Sequence, residues 1–187
     1  MKIVLDSVHL QLGTFSLSAD VIFEEGVHMI SGRIGSGKSM LGSALAGLSK
    51  IDSGKIVLEG CSLPILLMQF PEYQVTGSTV LREISSWGIS SGDPYFSRFG
   101  MEMFDRDPFT LSRGELKRLM LACVFARDPD VLILDEPYAS LDPSAKEVLT
   151  DSIEKRSGIT IVFSHETEHV AKNSQKWRIH TGGLHHE

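Results

Sequence analysis

Only two cysteines occur in 187 residues, Cys61 and Cys123, and they match no CxxC or metal-ligand spacing. That excludes a disulfide-stapled scaffold and a cysteine-built metal centre, and makes two free thiols in a reducing compartment the expectation. Long apolar runs are missing as well. Pro64 to Met68 and Val131 to Leu134 fall far short of the roughly 20 residues that cross a bilayer. Asp6, His9 and Gln11 interrupt the first residues, so no secretory leader is expected. Lys and Arg form no cluster, and 18 basic against 24 acidic residues leave a net charge of −6. A nucleic-acid partner is therefore not expected. No repeat, linker or low-complexity tract interrupts the chain. What remains is one compact domain, 1–187, long enough for a full core and expected in the cytosol or docked on a membrane through a partner.

What is there begins with Gly32-Arg33-Ile34-Gly35-Ser36-Gly37-Lys38-Ser39. An apolar run, Val27 to Ile30, precedes it as a strand, and Met40 to Leu48 follows as a helix. Strand, glycine-rich loop and helix form the phosphate-binding P-loop. Its glycines let backbone N–H groups turn inward around a β-phosphate, and the helix N-terminus adds the positive end of its dipole. Residues 32–40 are thus the expected nucleotide cradle. Lys38 neutralises phosphate charge and Ser39 offers a hydroxyl to Mg²⁺. ATP and Mg²⁺ are the expected ligands.

Alternating short strands and helices occupy the rest. Ile3 to Gln11 and Leu17 to Phe23 read as strands joined through Gly13, and Glu24-Glu25-Gly26 turns into the P-loop strand. Gly54 opens a strand at Ile56 to Leu58, which Gly60 closes. Ile65 to Met68 has the fully apolar character of a buried strand. From Ser78 to Phe104, Gly88, Gly92 and Pro94 break helical stretches. Ser112 caps a long helix to about Ala126. Val131 to Leu134 is a strand, Ser144 to Lys155 a helix, and Ile159 to Phe163 a strand. Glu166 to Lys172 is expected as helix and Trp177 to Ile179 as the last strand. His185-His186-Glu187 is expected as a frayed end. The pattern is α/β, with a largely parallel sheet, an antiparallel N-terminal edge and an inserted helical segment.

Val131-Leu132-Ile133-Leu134-Asp135-Glu136 carries the second piece of chemistry. A buried strand delivers two carboxylates to its carboxyl end, where open α/β sheets hold their ligands. Asp135 is expected to hold Mg²⁺ through water, and Glu136 to polarise the water that attacks the γ-phosphate.

Between the two motifs lies Leu111-Ser112-Arg113-Gly114-Glu115, where the chain resembles the ATP-binding-cassette (ABC) ATPases, whose motif reads Leu-Ser-Gly-Gly-Gln or Glu. The resemblance covers nearly the whole chain in order. It runs through the P-loop, a glutamine loop at Gln69, the motif at 111–115, the acidic strand, a D-loop Ala139-Ser140-Leu141-Asp142 and a switch histidine, His165. It implies a P-loop NTPase (RecA-like) core with an antiparallel β edge subdomain and an α-helical subdomain inserted at about 72–128. It also implies a dimer in which ATP is sandwiched. Ser112, Arg113, Gly114, Glu115 and Asp142 would serve the opposite subunit's nucleotide. Glu136, His165, Gln69 and Lys38 would be catalytic, and Ser39, Gln69 and Asp135 would hold the metal.

Met68-Gln69-Phe70-Pro71-Glu72-Tyr73-Gln74 closely resembles the glutamine loop of the energy-coupling-factor (ECF) and cobalt/nickel transporter ATPases. Thr79 to Ile84 looks like the helix that follows there. The likeness implies a motor subunit of an importer for a vitamin or metal ion, acting on a transmembrane T component with a separate substrate-binding S component. Five features depart from the family, one of them a shorter spacing than usual from Lys38 to Gln69 and from Gln69 to Leu111. Arg113 replaces the first glycine of the motif, and Met40 stands where many relatives have threonine. No aromatic occupies the position expected to stack on adenine, where Leu12 stands and Phe15 is the nearest ring. The chain also stops soon after Gly182-Gly183, as a trimmed motor domain would. Arg113 suggests a mixed pair of ATPases with unequal sites, giving a monomer or weak dimer of low turnover when purified alone. A soluble ABC ATPase without a transporter and a regulatory module without catalysis are the alternatives.

Overall fold

A computed structural model describes residues 1–165 and 171–187 of the chain. One nine-stranded sheet organises it. In chain order the strands are β1 (Lys2–Leu12), β2 (Phe15–Glu24), β3 (Gly26–Gly32), β4 (Ser53–Glu59), β5 (Ile65–Leu67), β6 (Val131–Asp135), β7 (Ile159–Phe163), β8 (Gln175–His180) and β9 (Gly183–His186). The helices are α1 (Lys38–Leu45), α2 (Val80–Ser86), α3 (Pro94–Arg98), α4 (Arg113–Arg127) and α5 (Pro143–Lys155). Across the sheet the order is β4-β1-β2-β9-β8-β3-β7-β6-β5.

The order has a physical reason. β6 and β7 are short, apolar and buried at every position, as befits parallel strands covered on both faces. Alternate residues feed two cores. Leu132 and Leu134 point with Val162 into a cluster under α2, α4 and α5. Val131 and Ile133 point with Ile159, Ile161 and Phe163 toward α1 and the inner face of β1 and β2. Full burial of each such side chain stabilises the fold by roughly 1.5–3 kcal/mol, so the central strands are the most expensive place to introduce a polar residue. β1 and β2 form a long antiparallel hairpin, and β1 also pairs with β4; the register shifts between Leu5 and Val8 in the first ladder and between Asp6 and His9 in the second. That bulge, with Ser7 in the left-handed region, sharpens the local twist of this edge.

α4 is the main helix. Ser112 caps it, accepting from Glu115 N while the Glu115 carboxylate accepts from Ser112 N. Residues 119–125 are all buried, so the helix is enclosed on every side rather than amphipathic. The chain between β5 and β6 carries α2, α3 and α4.

Four expectations are corrected. Trp177 to Ile179 is not the last strand: β9 follows, antiparallel to β8 and parallel to β2, and closes the gap between the hairpin and the parallel strands. His185 and His186 therefore belong to a strand and not to a frayed end, with the His186 ring edge-on to Trp177 at 4.7 Å. Two-residue pairing of Ser18 with Gly182 and Gly183 outweighs the weak hydrophobic pattern there. Pro94 opens α3 as its first residue, where its missing N–H costs nothing, instead of breaking a helix. The P-loop helix ends at Leu45, three residues earlier than expected, because Gly47 takes a positive φ. The helix expected over Glu166 to Lys172 lies largely outside the described residues. Both cysteines are free. Cys123 is buried on α4, and burial pushes its thiol pKa up; Cys61 packs against the other core.

Candidate functional site

β3, β6 and β7 are adjacent and parallel, so their carboxyl ends deliver the P-loop, Asp135-Glu136 and Ser164-His165 to one place. The P-loop reverses direction through Gly35 and Gly37, both at positive φ. Gly37 caps α1 with its carbonyl, accepting from Leu41 N at 2.9 Å. No side chain fits there: a Cβ on Gly37 would lie 2.7 Å from the Phe15 ring. On Gly32 it would meet the Ser36 hydroxyl at 2.5 Å.

Lys38 is buried at the floor. Its Nζ donates to the Gly32 carbonyl at 2.9 Å and to His165 Nε2 at 2.9 Å, with the Arg33 carbonyl at 3.4 Å and Glu136 Oε1 at 3.8 Å. Burial lowers its pKa, and the carboxylates of Glu136 and Asp135 oppose that shift. Asp135 ends β6, also buried, and burial raises its pKa against the opposing pull of Ser39, Lys38 and Lys117. Its Oδ1 atom is buried without a hydrogen-bond partner. Glu136 takes a positive φ and is tied to β7 through its N–H, which donates to the Phe163 carbonyl at 2.8 Å. That strained backbone turns the carboxylate back over the strand ends, where Oε2 accepts from His165 N at 3.3 Å.

These groups line a cavity of about 530 Å³, with Gln69 on one wall and Leu12, Phe15, Ile34 and Met40 at its outer end. The absent aromatic is thus replaced in space: Phe15, just after the Gly13 turn, reaches the P-loop mouth over Gly37. Gly32 and Arg33 contribute carbonyls to Lys38 and do not line the cavity. A slightly larger cleft, about 580 Å³, lies among Met1, Lys2, Glu24, Glu25, Glu59 and Gly60. Three carboxylates and no phosphate-binding loop make it unsuited to an anion.

Ser112, Gly114, Glu115 and Asp142 are not in the main cavity. They line a second, smaller cleft of about 250 Å³ with Arg118, Ser140 and Leu141. A Cβ on Gly114 would approach the Ser140 carbonyl to 2.8 Å, so the motif and the D-loop are packed together within the chain. Asp142 caps α5, accepting from Ala145 N at 2.9 Å, and pairs with Arg118 at 3.7 Å. Arg113 is exposed at the first turn of α4.

Sequence reasoning missed Lys117. It is 2 % exposed, yet its Nζ donates to the Gln69 carbonyl at 2.8 Å, with the Met68 carbonyl at 3.4 Å. Burial draws its pKa down to about 8, against the attraction of Asp135, Glu72 and Glu136. Its signal was present: Lys117 stands between Leu116 and, past Arg118, the unbroken apolar run Leu119 to Phe125, on a helix whose middle is buried all round. Gln74 is also accounted for, its amide accepting from Met68 N and donating to the Leu66 carbonyl, both at 2.8 Å.

A family model described as ABC transporter matches residues 18–139. The chain belongs to the ABC transporter family. Among its relatives in that family, it is 35% identical over 176 residues to the energy-coupling factor transporter ATP-binding protein EcfA2 of Caldanaerobacter subterraneus subsp. tengcongensis, covering 79% of this chain and 62% of that protein. With the EcfA2 protein of Bacillus subtilis (strain 168) the identity is 32% over 193 aligned positions, covering 86% of this chain and 69% of that protein. The chain thus spans between 62% and 69% of the length of these two relatives. Its fold matches the ATP-binding subunit of an ABC transporter with a TM-score of 0.84 at 19% identity, over 98% of this chain and 88% of that one. A dimeric ATP-binding cassette in a post-hydrolysis state, bound to ADP and Pi, gives 0.79 at 18% identity, over 99% and 97% of the two chains. Like those ABC folds, the chain is mixed α/β with a curled sheet. Among the described residues no helix is long and apolar enough to cross a membrane.

Proposed function

We propose that this chain is the ATP-hydrolysing motor subunit of an ECF-type importer for a vitamin or metal ion. It works as a nucleotide-sandwich dimer, with itself or a paralogous chain, on a transmembrane T component that also carries an S component. One observation carries the reading: Lys38, Gln69, Asp135, Glu136 and His165 converge on a single cavity at the carboxyl ends of parallel strands. The relatives named as energy-coupling factor ATP-binding proteins support the ECF assignment.

The triphosphate lies in the loop of residues 32–39, its charge met by the N–H groups of the α1 terminus and by Lys38. Glu136, held at its positive φ, aims its carboxylate at the attacking water, and His165 meets the γ-phosphate. The Ser39 hydroxyl and the unpartnered Asp135 Oδ1 are hard oxygen donors suited to Mg²⁺, with Gln69 as a third. When bound, Mg²⁺ supplies charge neutralisation at the phosphate oxygens. Ser112 to Glu115 face the partner's nucleotide, and Asp142 links the two sites through the D-loop. The helical segment 72–128 forms the subdomain that faces the membrane partner, holding the chain on the inner face of the membrane. A mixed pair is favoured by exposed Arg113, which brings a bulky cation to the surface that approaches the partner's phosphates.

The test is size by light scattering with ATP and Mg²⁺, using Glu136→Gln, together with turnover of the native chain. Loss of a positioned base costs about 10²–10⁴-fold in rate, so Glu136→Gln should bind ATP and barely hydrolyse it. An ATP-dependent dimer of the variant supports the sandwich and self-pairing. A persistent monomer with ATP bound assigns the second site to a different chain. Unchanged turnover overturns the hydrolytic reading.

A further inference from the structure

β5 ends at Leu67, and the carbonyls of Met68 and Gln69 leave the sheet with no strand to accept from. A carbonyl that loses its sheet partner gains from a donor. Lys117 supplies it, from the second turn of α4. On the other side, the Gln74 side chain grips Met68 N and the Leu66 carbonyl. The main chain at Gln69 is therefore clamped between its own loop and a helix, while its side chain remains free in the cavity.

An ammonium is an awkward way to satisfy two carbonyls. Removing it from water is costly, and apolar packing is often as stable. The fold nevertheless spends it where α4 meets the loop that carries Gln69. Five residues earlier, about 7–8 Å along the axis, α4 begins at Ser112. Glu115 and Ser112 cap one another there, which makes the helix start rigid. The helix is a stiff rod with the interchain motif at its tip and the Gln69 carbonyl on its side.

We infer that Lys117 is a positioning residue for Gln69, holding the glutamine loop to α4 so that displacement of that helix moves the Gln69 side chain in the chain's own nucleotide cavity. This rests on the proposed role of Gln69 beside the γ-phosphate. The contact gives a physical route from the motif that reads one nucleotide to the residue that sits beside the other.

The test compares Lys117→Met, of similar length without a donor, and Lys117→Arg, which keeps donors, each alone and with Gln69→Ala. Kinetic constants for ATP, affinity for a fluorescent ATP analogue, and amide hydrogen exchange across Met68 to Phe70 are measured on the full chain. Lys117→Met should lower kcat by about 10-fold or more, the scale of a misplaced reacting group, while nucleotide affinity stays within about two-fold. Lys117→Arg should restore most of the rate. In the Gln69→Ala background, Lys117→Met should add less than about two-fold, since the effect passes through that side chain. Exchange across 68–70 should speed up whether or not the chain hydrolyses ATP. Unaltered exchange and kcat overturn the inference, as does a full Lys117→Met effect in the absence of the Gln69 side chain. If Lys117→Met does not fold, Lys117→Leu, which also lacks a donor, takes its place with the same expected outcomes. Turnover that survives Glu136→Gln is a separate result and overturns the hydrolytic reading.

Discussion

Lys38 Nζ lies 2.9 Å from His165 Nε2, although 127 residues separate them in the chain. An ammonium has no lone pair, so the ring nitrogen accepts and the imidazole proton sits on Nδ1. Glu136 Oε1 is 3.2 Å from the same ring nitrogen and 3.8 Å from the ammonium. One cation thus stands between two acceptors from different strands, at the place where the phosphates are proposed to lie.

Lys38→Ala removes that cation and leaves the two acceptors facing each other. Charged hydrogen bonds contribute roughly 1.5–3 kcal/mol, so ATP affinity should fall by about 10- to 100-fold. Titration with a fluorescent ATP analogue checks this. Undiminished affinity would mean that the phosphates bind elsewhere.

Phe15 closes the outer end of the cavity against Gly37. If it stacks on the base, Phe15→Ala should weaken ATP by about 10-fold, since such stacking contributes roughly 1–3 kcal/mol. Inorganic triphosphate, which has no base, should bind as before. Equal weakening of both ligands would make Phe15 a support for the P-loop instead of a base platform.

Arg113→Gly restores the glycine usual in the family. The position is exposed in the first turn of α4, so stability should change by less than about 1 kcal/mol. Combined with Glu136→Gln, it should tighten ATP-dependent self-association in light scattering. Equal dimer affinity with and without Arg113 would remove the reason for expecting a mixed pair.

His28 offers a pH test away from the nucleotide. It is fully buried on β3, its Nε2 2.8 Å from the Glu24 carbonyl and its Nδ1 accepting from Trp177 Nε1 at 3.2 Å. Burial lowers its pKa below 6.5; the Glu24 carbonyl and carboxylate oppose the shift and His186 adds to it. The unfolded chain therefore binds a proton that the folded chain refuses. Stability is complete above about pH 6.5 and is lost as pH falls through the lowered folded value. His28→Gln should flatten this part of the profile, measured as thermal midpoint against pH. Each kcal/mol corresponds to about 2–4 °C for a chain of this size. An identical acid slope in both proteins would place the titration elsewhere.

Much of the site was legible because its residues are adjacent in sequence. Gly32 to Ser39 carry their own turn and helix start, and Val131 to Glu136 announce a buried strand that ends in acids. The central strands were legible for the same reason, since a continuous apolar run needs no partner to be recognised. β9 was not. Its Gly183-Leu184-His185-His186 has one buried residue, and only pairing with β2 and β8 makes it a strand. Phe15 was not placeable either, because its distance from Gly37 depends on the curl of the β1–β2 hairpin.

The sequence by itself determined the P-loop, the acidic strand end, the capped start of α4 and the alternation of strands and helices, all set by local backbone preference and side-chain spacing. The tertiary structure decided which of these meet. Parallel packing of β3, β7 and β6 brings Lys38, His165 and Glu136 together, and burial of α4 on all sides places Lys117 at the Gln69 carbonyl. Those contacts join residues far apart in the chain, and only strand order and packing, not local propensity, bring such groups within hydrogen-bond reach.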